Sequence, residues 1–490
     1  MLNYKNIRLN TDVLILLVLI IYFMFPTQNS SLDAYYYAGC VKYNEDLFLP
    51  HHLLYNFFIW IFTLLPFDID TLPLAIKINS VWSVINLLIL KRILIKLGVQ
   101  DKTSILYVLL VAFSFNYWRY SIENETYIIP VTFSLLGSFF VLKAFDSNKA
   151  LHFFYSGFFA GLACLFHQIH FFWWLSLFIG VVVYNKNAKN IIAYLLPALL
   201  VPLAYILGYI FYYQHNIDAF GIWEFTFREL YKGSAELKFS LEGGFFMVIN
   251  TIRMIIEVHY PSILNLIKKN IWLITPAFLM LVLLILVIRA LFKGNLLRRK
   301  NNVVHPAVKV HLLALILQFI FVFYSESNIE FMVMIPLLIA LGLMPTFNFN
   351  HKILKLTVAV LFIWNLVYSI YPNYKYNHFN DKILVNFIIK HPNDVFVVKN
   401  QVVKTMYFYN TGKSGDNILY SKKIQSEQML LELISKHKEI YTDVIGKPKA
   451  YNRMEFFKYS LSEKSFEKYH TLEILNYTGL YGESKVYKVF

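Results

Sequence analysis

The sequence predicts an all-α polytopic membrane protein, about eleven transmembrane helices with outer juxtamembrane helices, followed by a small C-terminal α/β soluble module. Three observations predict it. Of 490 residues, 58% are apolar and 15% charged, against about 45–50% and about 25% in ordinary soluble domains. Apolar runs long enough for a hydrocarbon layer of about 30 Å recur as far as Tyr371 and then stop. Basic residues gather in alternate loops between those runs.

The first run, 11–26, follows Lys5 and Arg8 and has no small-x-small site after it, so it reads as an uncleaved anchor. Residues 51–67 are also apolar. Counting them as a span would put Lys91, Arg92, Lys96 and Lys102 outside, so they read as a helix embedded from the outer side without crossing. The other spans are expected near 70–91, 103–117, 126–144, 151–167, 169–185, 190–213, 271–290, 306–324, 329–345 and 353–371.

With that assignment the N-terminus with Lys5 and Arg8 and the loops holding Lys91 to Lys102, Lys143 and Lys149, Lys186 and Lys189, Arg289 to Lys309, and Lys352 and Lys355 are cytoplasmic. Only Asp12, Asp101 and Asp146 oppose them, and the whole formal charge of +15 resides on that side. In a soluble chain such an excess suggests nucleic acid. Confined to one face of a membrane, it is a topology signal and implies no nucleic-acid partner. The expectation is an integral plasma (inner) membrane protein with a cytoplasmic N-terminus and an extracytoplasmic C-terminal domain.

Residues 1–375 form the expected transmembrane domain and 376–490 the soluble one, with strands at 394–399 and 440–444 and a helix near 424–437. The Gly412-Lys413-Ser414 triplet is no phosphate loop, because Tyr407 stands where that motif needs glycine. Cys40 and Cys164 are too few for a disulfide framework or a Cys-rich metal site.

Ionisable groups close to a membrane are functional candidates, and the outer loops collect four clusters of them. The first holds Asp33, then Leu49-Pro50-His51-His52-Leu53-Leu54-Tyr55; the second Arg119, Glu123, Glu125 and Tyr127. His167 and His170 form a tight hairpin, and Glu330 lies in Ser325-Glu326-Ser327-Asn328-Ile329-Glu330-Phe331. A carboxylate just beyond the first span can take a proton from an incoming hydroxyl, and Asp33 is placed to do so. A nearby arginine can stabilise charge on a departing phosphate, and Arg119 is the nearest, ahead of Arg228 and Arg253 from the 214–270 loop. Glu125 can share a cation, orient Arg119 or act as a second carboxylate. The simpler readings are that Glu123 is solvated, His51 and His52 start an interfacial helix, and His167 and His170 make structural hydrogen bonds; no third metal ligand follows from the spacing.

In order, these clusters resemble the GT-C superfamily of membrane glycosyltransferases, in the branch of protein O-mannosyltransferases and lipid A aminoarabinose transferases. Asp33 matches the superfamily's acidic residue. Leu49 to Tyr55 is similar to its His-Pro-Leu-Tyr element, although Pro50 here precedes the histidines. Glu125-Thr126-Tyr127 resembles the branch's second acidic element, and Asn328 to Phe331 with Pro336 a late-loop element. The resemblance implies transfer of a sugar from a polyprenyl-phosphate-linked donor to a lipid, glycan or protein acceptor on the extracytoplasmic side, usually with inversion, with Asp33 as catalytic base. It implies no cofactor that the sequence supports; oligosaccharyltransferases of the superfamily need a divalent metal and a WWD-type motif, which is absent here. Two other readings remain: a lipid-linked glycan polymerase or ligase, favoured by Arg228 and Arg253, and a transporter or flippase, for which Lys77, Gln318 and Asn365 could be polar groups inside spans.

Overall fold

The computed structural model describes residues 4–66, 68–231, 241–257, 264, 266–268, 270–294, 296–299, 304–325, 327–423, 429, 431–432, 435, 439–448, 466 and 468–490. Eight helices among the described residues are long and apolar enough to cross a membrane: Thr71–Lys96, Ile128–Ser147, Gln168–Asn185, Ala188–Tyr212, Ile271–Phe292, Pro306–Tyr324, Ile329–Thr346 and His351–Lys375. The three other expected spans are shorter. Thr11–Met24 and Ala150–Phe166 are apolar helices of reduced length, and the third ends at Phe113.

Helix α1 (Tyr4–Met24) leads to α2 (Leu32–Tyr43), which carries Asp33. A 3₁₀ turn at Pro50–His52 and a nine-residue α3 (Tyr55–Thr63) follow. At 1.5 Å per residue α3 is about 14 Å long, too short to cross a bilayer. Helix α4 (Thr71–Lys96) then runs beside α1. Helix α5 (Asp101–Phe113) breaks at Ser114, whose backbone is extended (φ −63°, ψ 138°), and the chain restarts as α6 (Phe115–Ser121). The break orphans the first N–H groups of α6. Those of Phe115 and Asn116 donate to the carbonyls of Ile255 (3.0 Å) and Met254 (3.1 Å), bracing α6 against the end of the Leu241–Arg253 helix.

The basic cluster of the loop after α4 is partly internal. Lys91 is fully buried, 2.7 Å from Asp12 and 3.3 Å from Asp101. A charge this deep persists because carboxylates compensate it.

The C-terminal sheet has five strands in the order Ile418–Tyr420, Val395–Val398, Ile440–Thr442, Gly482–Val489, Thr471–Gly479. The first three are parallel and the last two form an antiparallel hairpin. Val395–Val398 is buried along its whole length, as a strand covered on both faces must be. The strands expected at 394–399 and 440–444 are present but shorter; the hairpin and the Ile418 strand are additions, and most of 424–437 lies outside the described residues. Gly412 caps the Val402–Thr411 helix in the left-handed region (φ 71°), so the Gly-Lys-Ser triplet is a helix stop.

One sheet face shares an apolar cluster with α2: Tyr35 and Ala38 pack with Phe396, Met406, Tyr409 and Tyr441. The other face of α2, with Tyr37 and Val41, packs on Tyr55, Ile78 and Ile129 of the bundle. Cys40 and Cys164 are both buried free thiols.

Candidate functional site

The N-terminus of α2 builds the centre of the site. Ser31 caps the helix, its Oγ accepting from the Ala34 N–H at 2.9 Å, and Asp33 falls in the first turn, where helix N–H groups favour negative charge. Asp33 is half-buried. Burial, then the neighbouring carboxylates Glu330 and Glu229, lift its carboxyl from 3.8 to about 6. At neutral pH it is ionised, yet basic enough to take a proton.

The Ser31 Oγ also donates to Oε1 of the buried Glu125 at 2.5 Å. Burial, then Glu330 and Asp33, push the Glu125 carboxyl well above the usual range, so these carboxylates titrate together. The loop bearing Glu125 is anchored by Asn79 of α4, whose Nδ2 donates to the carbonyls of Glu123 (2.7 Å) and Glu125 (2.8 Å). Asn124 Nδ2 donates to the Ala34 carbonyl at 2.7 Å, tying the loop to α2. Tyr55 donates to Asn124 Oδ1 at 2.9 Å. Tyr127 donates to Glu330 Oε2 at 3.1 Å and stacks on His167, ring centres 4.9 Å apart; Tyr120 packs edge-on against Tyr127, ring centres 5.4 Å apart.

On the opposite flank His51 Nδ1 lies 3.7 Å from Glu229. His52 is fully buried against Tyr37 at 4.5 Å, and neither of its ring nitrogens has a hydrogen-bond partner. Burial holds both imidazoles below their usual value, hence neutral. Arg228 exerts its charge on His51 from this side. Next to it the Ala219–Thr226 helix buries none of its residues, with Phe220 65% and Trp223 56% exposed. Such a face fits the membrane interface.

Arg119 also stands within electrostatic reach of Glu125 and Glu330. Arg119 pairs with Glu123 at 2.7 Å and Arg253 with Glu257 at 3.5 Å. Both line a cavity of about 350 Å³ between the bundle and the C-terminal module. Glu123 is thus not solvated but 1% exposed, because the guanidinium one helical turn before it neutralises it.

Of the sequence candidates, Asp33, Glu125, Tyr127, Glu330, His51, His52, His167 and Tyr55 gather in this region, with Arg228 at its edge. His170 does not join them: its Nδ1 pairs with Ser134 Oγ at 2.7 Å inside the bundle. Gln318 and Asn365 bond backbone carbonyls at 2.8 and 2.7 Å, a bracing role, while Lys77 is exposed. Glu326 lies outside the described residues. Sequence reasoning missed Glu229, Ser31, Tyr120 and Asn79; only Asn79 had a signal, an amide in the middle of an apolar run. Among the described residues no group of three or more His, Cys, Asp or Glu is arranged to hold a metal ion.

No protein-family model and no curated protein sequence matches the chain. Solved structures do, and they share this chain's fold. The oligosaccharyltransferase of Archaeoglobus fulgidus, crystallised with Zn and sulfate, aligns with TM-score 0.51 and 14% identity over 97% of this chain and 72% of its own. AglB from the same organism, in complex with an inhibitory peptide and a dolichol-phosphate, gives 0.52 and 10% over 99% and 74%. ArnT from Cupriavidus metallidurans, bound to undecaprenyl phosphate, gives 0.52 and 8% over 99% and 98%. At these identities the likeness is one of fold, and with ArnT it extends over nearly both whole chains.

Proposed function

We propose that the protein is an inverting glycosyltransferase that moves a sugar from a polyprenyl-phosphate-linked donor to an acceptor on the extracytoplasmic side of the membrane. The observation that carries the reading is the convergence of Asp33 with Glu125 and Glu330 at the outer ends of the bundle, on a fold shared with structures that hold dolichol-phosphate or undecaprenyl phosphate. Asp33 takes the proton of the acceptor hydroxyl or amine as that atom forms a bond to the anomeric carbon. The carbon's bond to the phosphate oxygen breaks on the opposite face, and the phosphate leaves with the electron pair. Burial, with Glu330 and Glu229, keeps the Asp33 carboxylate basic. The donor phosphate sits on the His51 and Arg228 flank, where the exposed apolar helix gives the polyprenyl tail a way in from the membrane, and Arg228 supplies the positive charge. Arg119, held by Glu123, lines the neighbouring cavity and exerts its charge on Glu330. No step is assigned to a metal.

Asp33→Asn in membranes should lower transfer of radiolabelled sugar from the lipid-extractable pool by about 10²–10⁴-fold. Turnover near that of the wild type would end the assignment. Failure of the Asn variant to accumulate in the membrane is controlled by its melting temperature, which is expected to rise. A folded-state carboxyl lifted to about 6 makes ionisation unfavourable in the native protein. Its contribution to stability is present at low pH and lost as pH rises through about 6. Asn removes that penalty, on the order of 3 kcal/mol at most, so the gain appears near neutral pH and vanishes near about pH 4.

A further inference from the structure

The short stretch between α1 and α2 has no part in the transfer step, yet its hydrogen bonds converge on one side chain. The amide of the half-buried Asn29 makes three of them. Its Nδ2 donates to the carbonyls of Asn373 (3.0 Å) and Tyr376 (2.8 Å), and its Oδ1 accepts from the His378 N–H at 2.7 Å. Those partners span the junction where the last membrane helix, His351–Lys375, passes into the C-terminal module. Two carbonyls need two donors and the N–H needs an acceptor on the same small group, a set that a side-chain amide supplies. Flipped, the amide would set its oxygen against two carbonyl oxygens, so its orientation is fixed as well.

The backbone of the same residue bonds the site. The Asn29 carbonyl accepts from Arg119 Nη2 at 3.1 Å, and Arg119 pairs with Glu123. Two residues beyond Glu123, the Glu125 carboxylate accepts from the Ser31 hydroxyl. Ser31 in turn is two residues beyond Asn29 and caps the helix whose first turn carries Asp33. The contacts close a ring: from Asn29 to Arg119 and Glu123, along the loop to Glu125, and back through Ser31. Asn124, inside that loop, adds its bond to the Ala34 carbonyl. Hydrogen bonds are directional, so such a ring sets the angle of the first turn of α2 as well as its distance from Glu125. Asn29 is the member that extends the ring to the C-terminal junction.

We propose that Asn29 is a positioning residue for the transfer reaction: it ties the junction after the last membrane helix to the first turn of α2, and so fixes where Asp33 meets the acceptor. It touches no substrate and moves no proton. Its effect on rate rests on the transferase reading above; the mechanical link does not. Displacing a reacting group by about 1 Å costs up to about 10²-fold in rate. Loosening the start of α2 also admits water to a carboxyl that burial lifts to about 6, so that carboxyl should fall back toward 3.8.

The test compares the full chain in nanodiscs as wild type, Asn29→Ala and Asn29→Asp. The donor probe is a panel of undecaprenyl-phosphate-linked pentoses, hexoses and N-acetylhexosamines, with a membrane extract supplying the acceptor. In both variants kcat should fall about 10- to 100-fold while the KM for the donor holds within about twofold, and the acid limb of the kcat profile should move to lower pH. A residue that only stabilises the fold would lower the melting temperature and leave kcat and the limb of the folded fraction unmoved. Hydrogen exchange gives a reading that needs no turnover: peptides covering 30–36 and 373–380 should both exchange about tenfold faster. Asn29→Asp keeps the side-chain volume and the bond from the His378 N–H, and it serves if Asn29→Ala fails to fold. A folded variant with the kcat and acid limb of the wild type, or faster exchange confined to 373–380, would overturn the proposal. If no donor turns over in the wild type, or Asp33→Asn turns over normally, the transferase reading falls instead, and exchange in 30–36 alone decides whether Asn29 holds the start of α2.

Discussion

At the scale of single residues the site is governed by repulsion among carboxylates out of water. Asp33 sits near pH 6 because its charge is half-buried and faces Glu330 and Glu229. A general base must be ionised to work, so transfer should fall away as pH drops through about 6. Glu330→Gln removes the largest neighbouring charge that raises Asp33, and the acid limb of the pH–rate profile should then move to lower pH. An unmoved limb would assign the profile to another group. The sequence made Asp33, Glu125 and Glu330 legible because each is an acid beside an apolar run. It did not make Glu229 legible, since that residue reaches the site through its position next to His51, and a salt bridge between loops has no periodicity to read. The same limit applied to Glu123, whose burial depends on Arg119 being one turn away on a helix that exists only because α5 breaks at Ser114.

At the scale of elements, α2 is the part on which the site turns. Its first turn carries Asp33, one side rests on the bundle, and the other rests on the C-terminal module. Gly39 allows the last of these contacts, since a Cβ there would meet ring atoms of Phe408 at 2.6 and 2.7 Å and the Tyr409 Cα at 3.4 Å. Gly39→Val should force α2 and the Val402–Thr411 helix apart, costing about 1–3 kcal/mol of stability and lowering kcat while the KM for the lipid donor holds. A thermal melt and a kinetic comparison with the wild type measure both; a destabilised variant with unchanged kcat would show that α2 does not transmit the module's position to Asp33. The twelve residues of α2 read in sequence as part of a polar outer loop. Their alternation of Asp, Tyr, Ala and Gly serves two partners at once, and no single apolar stripe marks them.

At the scale of the whole molecule, the charge distribution carries the expectation about sidedness. If the basic loops are cytoplasmic, the acidic centre and the C-terminal module face outward. Lys413 and Lys293 are both exposed, and the two native thiols are buried, so single cysteine substitutions at these lysines report orientation. Lys413→Cys should react with a membrane-impermeant maleimide in intact cells, and Lys293→Cys only after permeabilisation. The reverse pattern would invert the molecule and withdraw the extracytoplasmic reaction.

The sequence by itself determined that this is a membrane-spanning helical protein with a separate C-terminal sheet, because apolar run length and strand patterning are local properties. It also determined which acids lie near span ends, and it located the charge excess in alternate loops. Only the tertiary structure decided that Asp33, Glu125 and Glu330 are neighbours while Arg119 and Arg253 share a different cavity. Those distances are set by helix packing between segments up to hundreds of residues apart. The same packing buries Lys91 among its counter-charges and leaves polar atoms of Asn116, Arg119, Arg253 and Ser369 without a hydrogen-bond partner. Burial turns each of these groups from an ordinary polar residue into one whose hydrogen-bond partner must be accounted for.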